Sequence, residues 1–130
     1  MQVVIDPSAI LAVLLHEPPR EAVVAATASA VLLAPGSAPW EVGNALVAGL
    51  RRRRLTLETV QAAWQSFEAI PLRLIDIDMP RALALAAEHG LYAYDGYVLE
   101  AARSRRLPLL SLDQQLLRAA EQAGVSLLEL

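Results

Sequence analysis

The sequence predicts an α/β fold: a three-layer α/β/α sandwich on a mainly parallel central sheet, formed by residues 1–130 as one domain. Three observations predict it. Short aliphatic, often β-branched runs alternate with longer helical patterns, as β-α units require. The apolar fraction is 55% with only 5% aromatic residues, which suits an aliphatic, Ala-rich core. A chain of this length buries roughly two-thirds of its unfolded surface. Finally, several acids fall at the joints between elements, and open parallel sheets gather ligands at the carboxyl ends of their strands.

The run Val3-Val4-Ile5 reads as a central strand that stops at Asp6-Pro7. Ser8 to Leu15 follows as a helix, broken by His16-Glu17-Pro18-Pro19, and Arg20 to about Ala28 makes a second. Val31 to Ala34 is a short strand closed by Pro35-Gly36-Ser37-Ala38-Pro39. A long helix is expected from about Trp40 to Arg54. Thr56 is a plausible N-cap for the next helix, whose Val60, Ala63, Trp64 and Phe67 form one apolar stripe at i, i+3, i+4 and i+7. Pro71 ends it. Leu72 to Ile75 is a strand, Asp78-Met79-Pro80 opens a helix, and His89-Gly90 ends that helix. Tyr94 to Arg105 is helical, with Val98, Ala101 and Ala102 on one face. Leu107 to Leu110 is a strand, Gln114 to Ala123 a helix capped by Gly124, and Val125 to Leu128 a last strand.

Composition excludes several classes. There is no cysteine, so disulfides, thiolate nucleophiles and thiolate metal sites are ruled out, and a reducing cytoplasm is the expected location. No basic leader precedes the first strand, so no secretory segment is expected. The longest apolar stretch, Ala22 to Ala34, is too short for a membrane span and carries Thr27 and Ser29. The net charge of −3 excludes a globally basic nucleic-acid binder but leaves room for a local basic patch. All 11 basic residues are arginine.

Four acids sit at joints. Asp6 ends the first strand. Glu41 lies in the first turn of the long helix, with Asn44 one turn on along the same face. Asp95 begins the helix after Tyr94, and Asp113 follows the strand ending at Leu110. Each alone is accounted for as an N-cap or as a complement to a helix dipole. Together, parallel connectivity brings them to one edge of the sheet. A carboxylate cluster repels itself unless a positive charge sits within it. Oxygen-only ligands, with no cysteine and no well-placed histidine, suit Mg²⁺ or Mn²⁺.

On these segments the chain resembles a PIN-domain ribonuclease of the VapC toxin type, over essentially its whole length. The segments are Val3-Val4-Ile5-Asp6-Pro7-Ser8, Trp40-Glu41-Val42-Gly43-Asn44, Tyr94-Asp95-Gly96-Tyr97 and Leu110-Ser111-Leu112-Asp113-Gln114-Gln115. The resemblance implies a metal-dependent endoribonuclease toxin, neutralised by a cognate VapB-like antitoxin and assembled as a homodimer. Asp6, Glu41, Asp95 and Asp113 are then the catalytic, metal-binding acids for Mg²⁺ (Mn²⁺ as the alternative). Ser8 and Ser111 help to position water or phosphate at the metal. Water so activated attacks the RNA phosphodiester in line, leaving 5′-phosphate and 3′-hydroxyl ends. Ser111 stands where relatives more often carry Thr. Gln115 stands where some carry another acid, which implies one metal in the free protein.

Arg51 to Arg54, and the group Arg103, Arg105 and Arg106, are candidate RNA phosphate contacts as well as complements to helix C-termini. His16 and His89 read as loop or cap residues. The Val60–Phe67 stripe, with Trp40, reads as core or subunit contact. Among rivals, a phosphoacceptor receiver needs a lysine, and a haloacid-dehalogenase phosphatase needs an acid where Ser8 stands. A P-loop enzyme needs Gly-Lys-Ser/Thr, and no nucleophile elbow is present. One alternative remains: a catalytically silent PIN-like module that only binds protein or RNA.

Overall fold

Parallel pairing through the first strand sets the architecture. The structure, a computed structural model, describes residues 1–130. Strand β1 (Gln2–Ile5) pairs with β2 (Val31–Pro35) on one side and with the short β4 (Leu109–Leu110) on the other. Outside β2 lies β3 (Leu72–Ile75), giving the order β3-β2-β1-β4 with every pair parallel. The sheet is therefore wholly parallel, and both of its faces must be covered by helices.

The pleat of β1 divides the core in two. Val3 and Ile5 face a cluster with Ile10, Val23, Val42, Leu46 and Phe67. These side chains come from α1 (Pro7–Leu14), α2 (Arg20–Thr27), α3 (Ala38–Arg51) and α4 (Leu57–Glu68). Val4 faces the other way, onto Leu85, Val98, Leu99, Leu109 and Leu116. That layer is built from α5 (Met79–His89), α6 (Ala93–Arg105) and α7 (Gln114–Gln122). The three-layer expectation is met.

Local chemistry starts the helices where the sequence places it. Asp6, Thr56, Asp78 and Asp113 cap α1, α4, α5 and α7, each accepting a hydrogen bond from a backbone amide two or three residues on. Gly90 ends α5 in the left-handed region at φ 65°. The α4 stripe packs inward as expected, with Trp64 and Phe67 ring centroids 5.0 Å apart. Trp40 stays out of the core, 75% exposed, and lines a surface hollow beside Val60 and Trp64 of the stripe.

The ends of the chain's later elements differ from the sequence reading. The long helix stops at Arg51 rather than Arg54, because Arg53 turns left-handed at φ 58° and the Arg54 amide closes onto the Gly49 carbonyl. The strand expected over Leu107–Leu110 keeps only its last two residues. The Leu107 amide is taken by the Ala102 carbonyl, and Pro108 has no N–H to give. The final strand, Val125–Leu128, reduces to one bridge between Leu109 and Leu127, since so short a β4 offers little to pair with. Helix α6 buries Gly96, Leu99 and Glu100 as well as Val98, Ala101 and Ala102, so it is enclosed on more than the single face expected.

Candidate metal centre

Parallel topology carries the ends of β1 and β4 and the starts of α3 and α6 to one edge of the sheet. Asp6 ends β1, while Glu41 and Asp95 lie in the first turns of α3 and α6. Their carboxylate oxygens lie within 4.8 Å of one another. Three of the four acids singled out in the sequence thus meet at one point. Asp113 stands beside this group rather than in it. Its Oδ1 accepts the Gln115 and Leu116 amides at the start of α7, at 2.9 and 3.2 Å.

The two serines build a bracket around Asp6. The Ser8 hydroxyl makes a short bond to Asp6 Oδ2, and the Ser111 hydroxyl donates to the same oxygen at 3.0 Å. In turn Ser8 Oγ accepts the Leu112 amide and Ser111 Oγ accepts the Asp113 amide, both at 3.0 Å. Each hydroxyl has one proton, and both protons are committed to Asp6. Every hydrogen bond to the Asp6 carboxyl falls on Oδ2, which leaves Oδ1 unengaged. The serines therefore touch the carboxylate directly and fix which oxygen it offers.

The electrostatics are those of a crowded negative site. Burial pushes Glu41 up to about 7, and repulsion from Asp6, Asp95 and Asp113 adds to it. Burial, then Asp6 and Asp113, raises Asp95 to about 6. Asp6, only 3% exposed, is also raised by burial. The hydrogen bonds from Ser8 and Ser111 pull the other way, and Asp113 adds a smaller upward push. Although its oxygens lie outside the three-acid group, the Asp113 charge is felt by all three.

A divalent cation fits this arrangement on two grounds. The donors are all carboxylate oxygens, the hard ligands that Mg²⁺ and Mn²⁺ take. In addition, Glu41 Oε2 is buried with no hydrogen-bond partner, a costly state that a bound cation would relieve. Asp6 Oδ1, Glu41 and Asp95 are the atoms and residues that could hold it.

Other residues flagged in the sequence lie elsewhere. Asn44 is exposed and makes no side-chain hydrogen bond. The Gln115 amide donates to the Gly90 carbonyl at 3.0 Å, tying α7 to the end of α5. His16 sits in the turn after α1 at φ 54°, and His89 Nδ1 lies 3.2 Å from Gln122 Oε1. Glu100 is not part of the acid group: it is 1% exposed and paired to Arg103 at 2.8 and 3.2 Å. Sequence reasoning left that pair unassigned. Its signal was an acid inside Val98-Leu99-Glu100-Ala101-Ala102 with an arginine three residues on. No helix is long and apolar enough to cross a membrane.

Comparison with known proteins agrees with this geometry. No curated protein matches the sequence. Among solved structures, the chain is similar to PAE2754 from Pyrobaculum aerophilum, with a TM-score of 0.72 and 22% identity over 93% of this chain and 81% of that one. At that identity the likeness establishes the fold. A sequence model described as "PIN domain" matches residues 3–122, a span that includes all four acids and both serines. That family is one of nuclease folds, typically metal-dependent, and the acid group here has the donors such a metal takes. The chain belongs to the PIN domain family.

Proposed function

We propose that this protein is a Mg²⁺- or Mn²⁺-dependent endoribonuclease of the VapC type, a cytoplasmic toxin held inactive by a VapB-like antitoxin and acting as a homodimer. The observation that carries the nuclease reading is the meeting of Asp6, Glu41 and Asp95 within 4.8 Å, with Glu41 Oε2 buried and unpartnered. When bound, a divalent ion supplies charge neutralisation at the phosphate and a more acidic water for in-line attack. Asp6, Glu41 and Asp95 hold it. Ser8 and Ser111 lock the Asp6 carboxyl through Oδ2 and leave Oδ1 free for the ion. Asp113 adds negative charge beside the three ligands while anchoring α7, and so strengthens the demand for a cation.

The test is cleavage of a mixed RNA pool by antitoxin-free protein in Mg²⁺, Mn²⁺ or chelator, beside Asp6→Asn. Cutting that needs metal and is lost in the variant, by roughly a thousand-fold or more, is the expected result. Folded wild-type protein that cuts in neither metal would instead point to a silent binding module.

RNA binding by an acidic chain needs local positive charge. Arg51 to Arg54 are all exposed, and none is paired, since the only ion pair is Arg103–Glu100. Arg52, the residue that caps the end of α3, lies eleven residues from Glu41, about 16 Å at helical rise, within reach of a strand passing through the site. Alanine at both Arg52 and Arg54 is expected to weaken RNA binding and to lower the salt dependence of log K by about 0.7 for each phosphate no longer neutralised. A titration over several salt concentrations measures it. An unchanged slope removes these arginines from the RNA path.

A further inference from the structure

A cavity of about 490 Å³ opens at the ends of β2 and β3, on the side of the acid group away from β4. Trp40, Tyr97, Ile77 and Met79 give it aromatic and apolar walls, and Asp76 and Ser37 give it polar ones. None of the three acids lines it, but it adjoins the metal centre along the chain. Helix α3 supplies Trp40 to the cavity and the next residue, Glu41, to the acids, with neighbouring Cα atoms about 3.8 Å apart. Helix α6 likewise supplies Tyr97 to the cavity and Asp95 to the acids.

Two side chains at this cavity are free to meet a ligand. The Trp40 ring is 75% exposed and stacks on no other aromatic ring. The Asp76 carboxyl is exposed at the rim of this otherwise largely apolar hollow and forms no hydrogen bond or ion pair within the chain, so it is free to accept from a ligand. An aromatic face open to solvent is a stacking platform for an unpaired base. A carboxylate accepts hydrogen bonds and donates none. Guanine alone presents two adjacent donors, N1–H and the 2-amino group, on its Watson–Crick edge. Adenine and cytosine set an acceptor nitrogen beside their amino group, and uracil flanks its N–H with two carbonyls, so each brings a lone pair against the carboxylate.

We propose that this cavity receives the base adjoining the scissile phosphate, stacks it against Trp40 and selects guanine through Asp76. The inference rests on the ribonuclease reading for its place in the reaction, but the pocket itself is tested without catalysis. The first arm follows Trp40 fluorescence in a Trp64→Phe protein, which leaves one of the two tryptophans, during titration with GMP, AMP, CMP and UMP in chelator. Quenching by GMP is expected at about ten-fold lower concentration than by the others. Adding Asp76→Asn should erase that preference. The second arm measures cleavage of RNAs differing at one base, where Trp40→Ala should raise KM about ten-fold for every substrate.

The outcomes separate the two readings. GMP-selective quenching without any RNA cleavage supports the pocket and overturns the nuclease assignment. Cleavage or nucleotide binding without guanine preference, or a preference that survives Asp76→Asn, overturns the pocket. Variants at Trp40 and Asp76 that keep base preference but lose a protein partner would also overturn it, and would reassign the cavity to that partner.

Discussion

Glu41→Gln is expected to abolish cleavage and, in the same molecule, to raise stability above neutral pH. Glutamine keeps the shape of the side chain but cannot carry the charge that a divalent cation needs. It also cannot repel Asp6, Asp95 and Asp113, which together with burial hold Glu41 at about 7. In metal-free protein the folded state keeps protons on Glu41 and Asp95 that the unfolded chain has already released. The stability due to these protonated carboxyls is full below about pH 4. It is lost as pH rises through about 6 for Asp95 and about 7 for Glu41. Discounted for the partial exposure of the group, the loss at Glu41 is about 1–2 kcal/mol at pH 8. Denaturation in chelator from pH 5 to 8.5 should therefore show wild type weakening by more than the variant, which keeps the loss due to Asp95 but not that due to Glu41. Saturating Mg²⁺ should reverse the order, since a ligand at a hundred times its Kd adds about 2.7 kcal/mol only to the protein that binds it. A variant no more stable than wild type at pH 8 would show that Glu41 is not under repulsion.

Gly96→Ala is expected to cost about 1–3 kcal/mol and to lower activity by roughly a hundred-fold. Gly96 follows Asp95 in α6, where the helix lies against α5. A Cβ at this position would stand 2.7 Å from the Ala82 carbonyl oxygen and 2.9 Å from the Ala86 Cβ. The first contact is with backbone, so no rotamer change relieves it, and α6 must move. Asp95 moves with it. Alanine's better helix propensity offsets at most about 1 kcal/mol. Pairing the change with Ala86→Gly removes the second contact but not the first, so rescue should be partial in both urea denaturation and single-turnover cleavage. Full rescue by Ala86→Gly would mean that the α5 backbone does not hold Asp95 in place.

What could be read from the sequence follows the range of the physics. Helix starts were legible because capping is settled within three residues: Asp6, Thr56, Asp78 and Asp113 each bond their own helix's first turn. The acids were legible as a set because strand-to-helix joints of a parallel sheet share an edge. Strand lengths were not, because pairing depends on a partner far away in sequence. Leu107-Pro108 and Val125–Leu128 have strand-like composition, yet the first is claimed by the end of α6 and the second meets a β4 of two residues. The serine bracket was out of reach for the same reason. Nothing near Ser8 signals that Ser111 will complete the grip on Asp6 Oδ2. Burial of Glu100 depends likewise on how α6 is enclosed by its neighbours, which a single helical wheel does not show.

That bracket also determines when the site can exist. Asp6 and Ser111 are 105 residues apart in the chain, and β4, which carries Ser111 to the edge, pairs with the first strand made. Closing so long a loop comes late, since its entropy cost is met before the contact rewards it. During synthesis Asp6, Ser8, Glu41 and Asp95 all emerge before Ser111, the second of the two serines that bracket Asp6. A ribosome-bound chain short of Ser111 therefore carries its acids with only half of the bracket on Asp6. The order of translation itself delays competence until the fold can close.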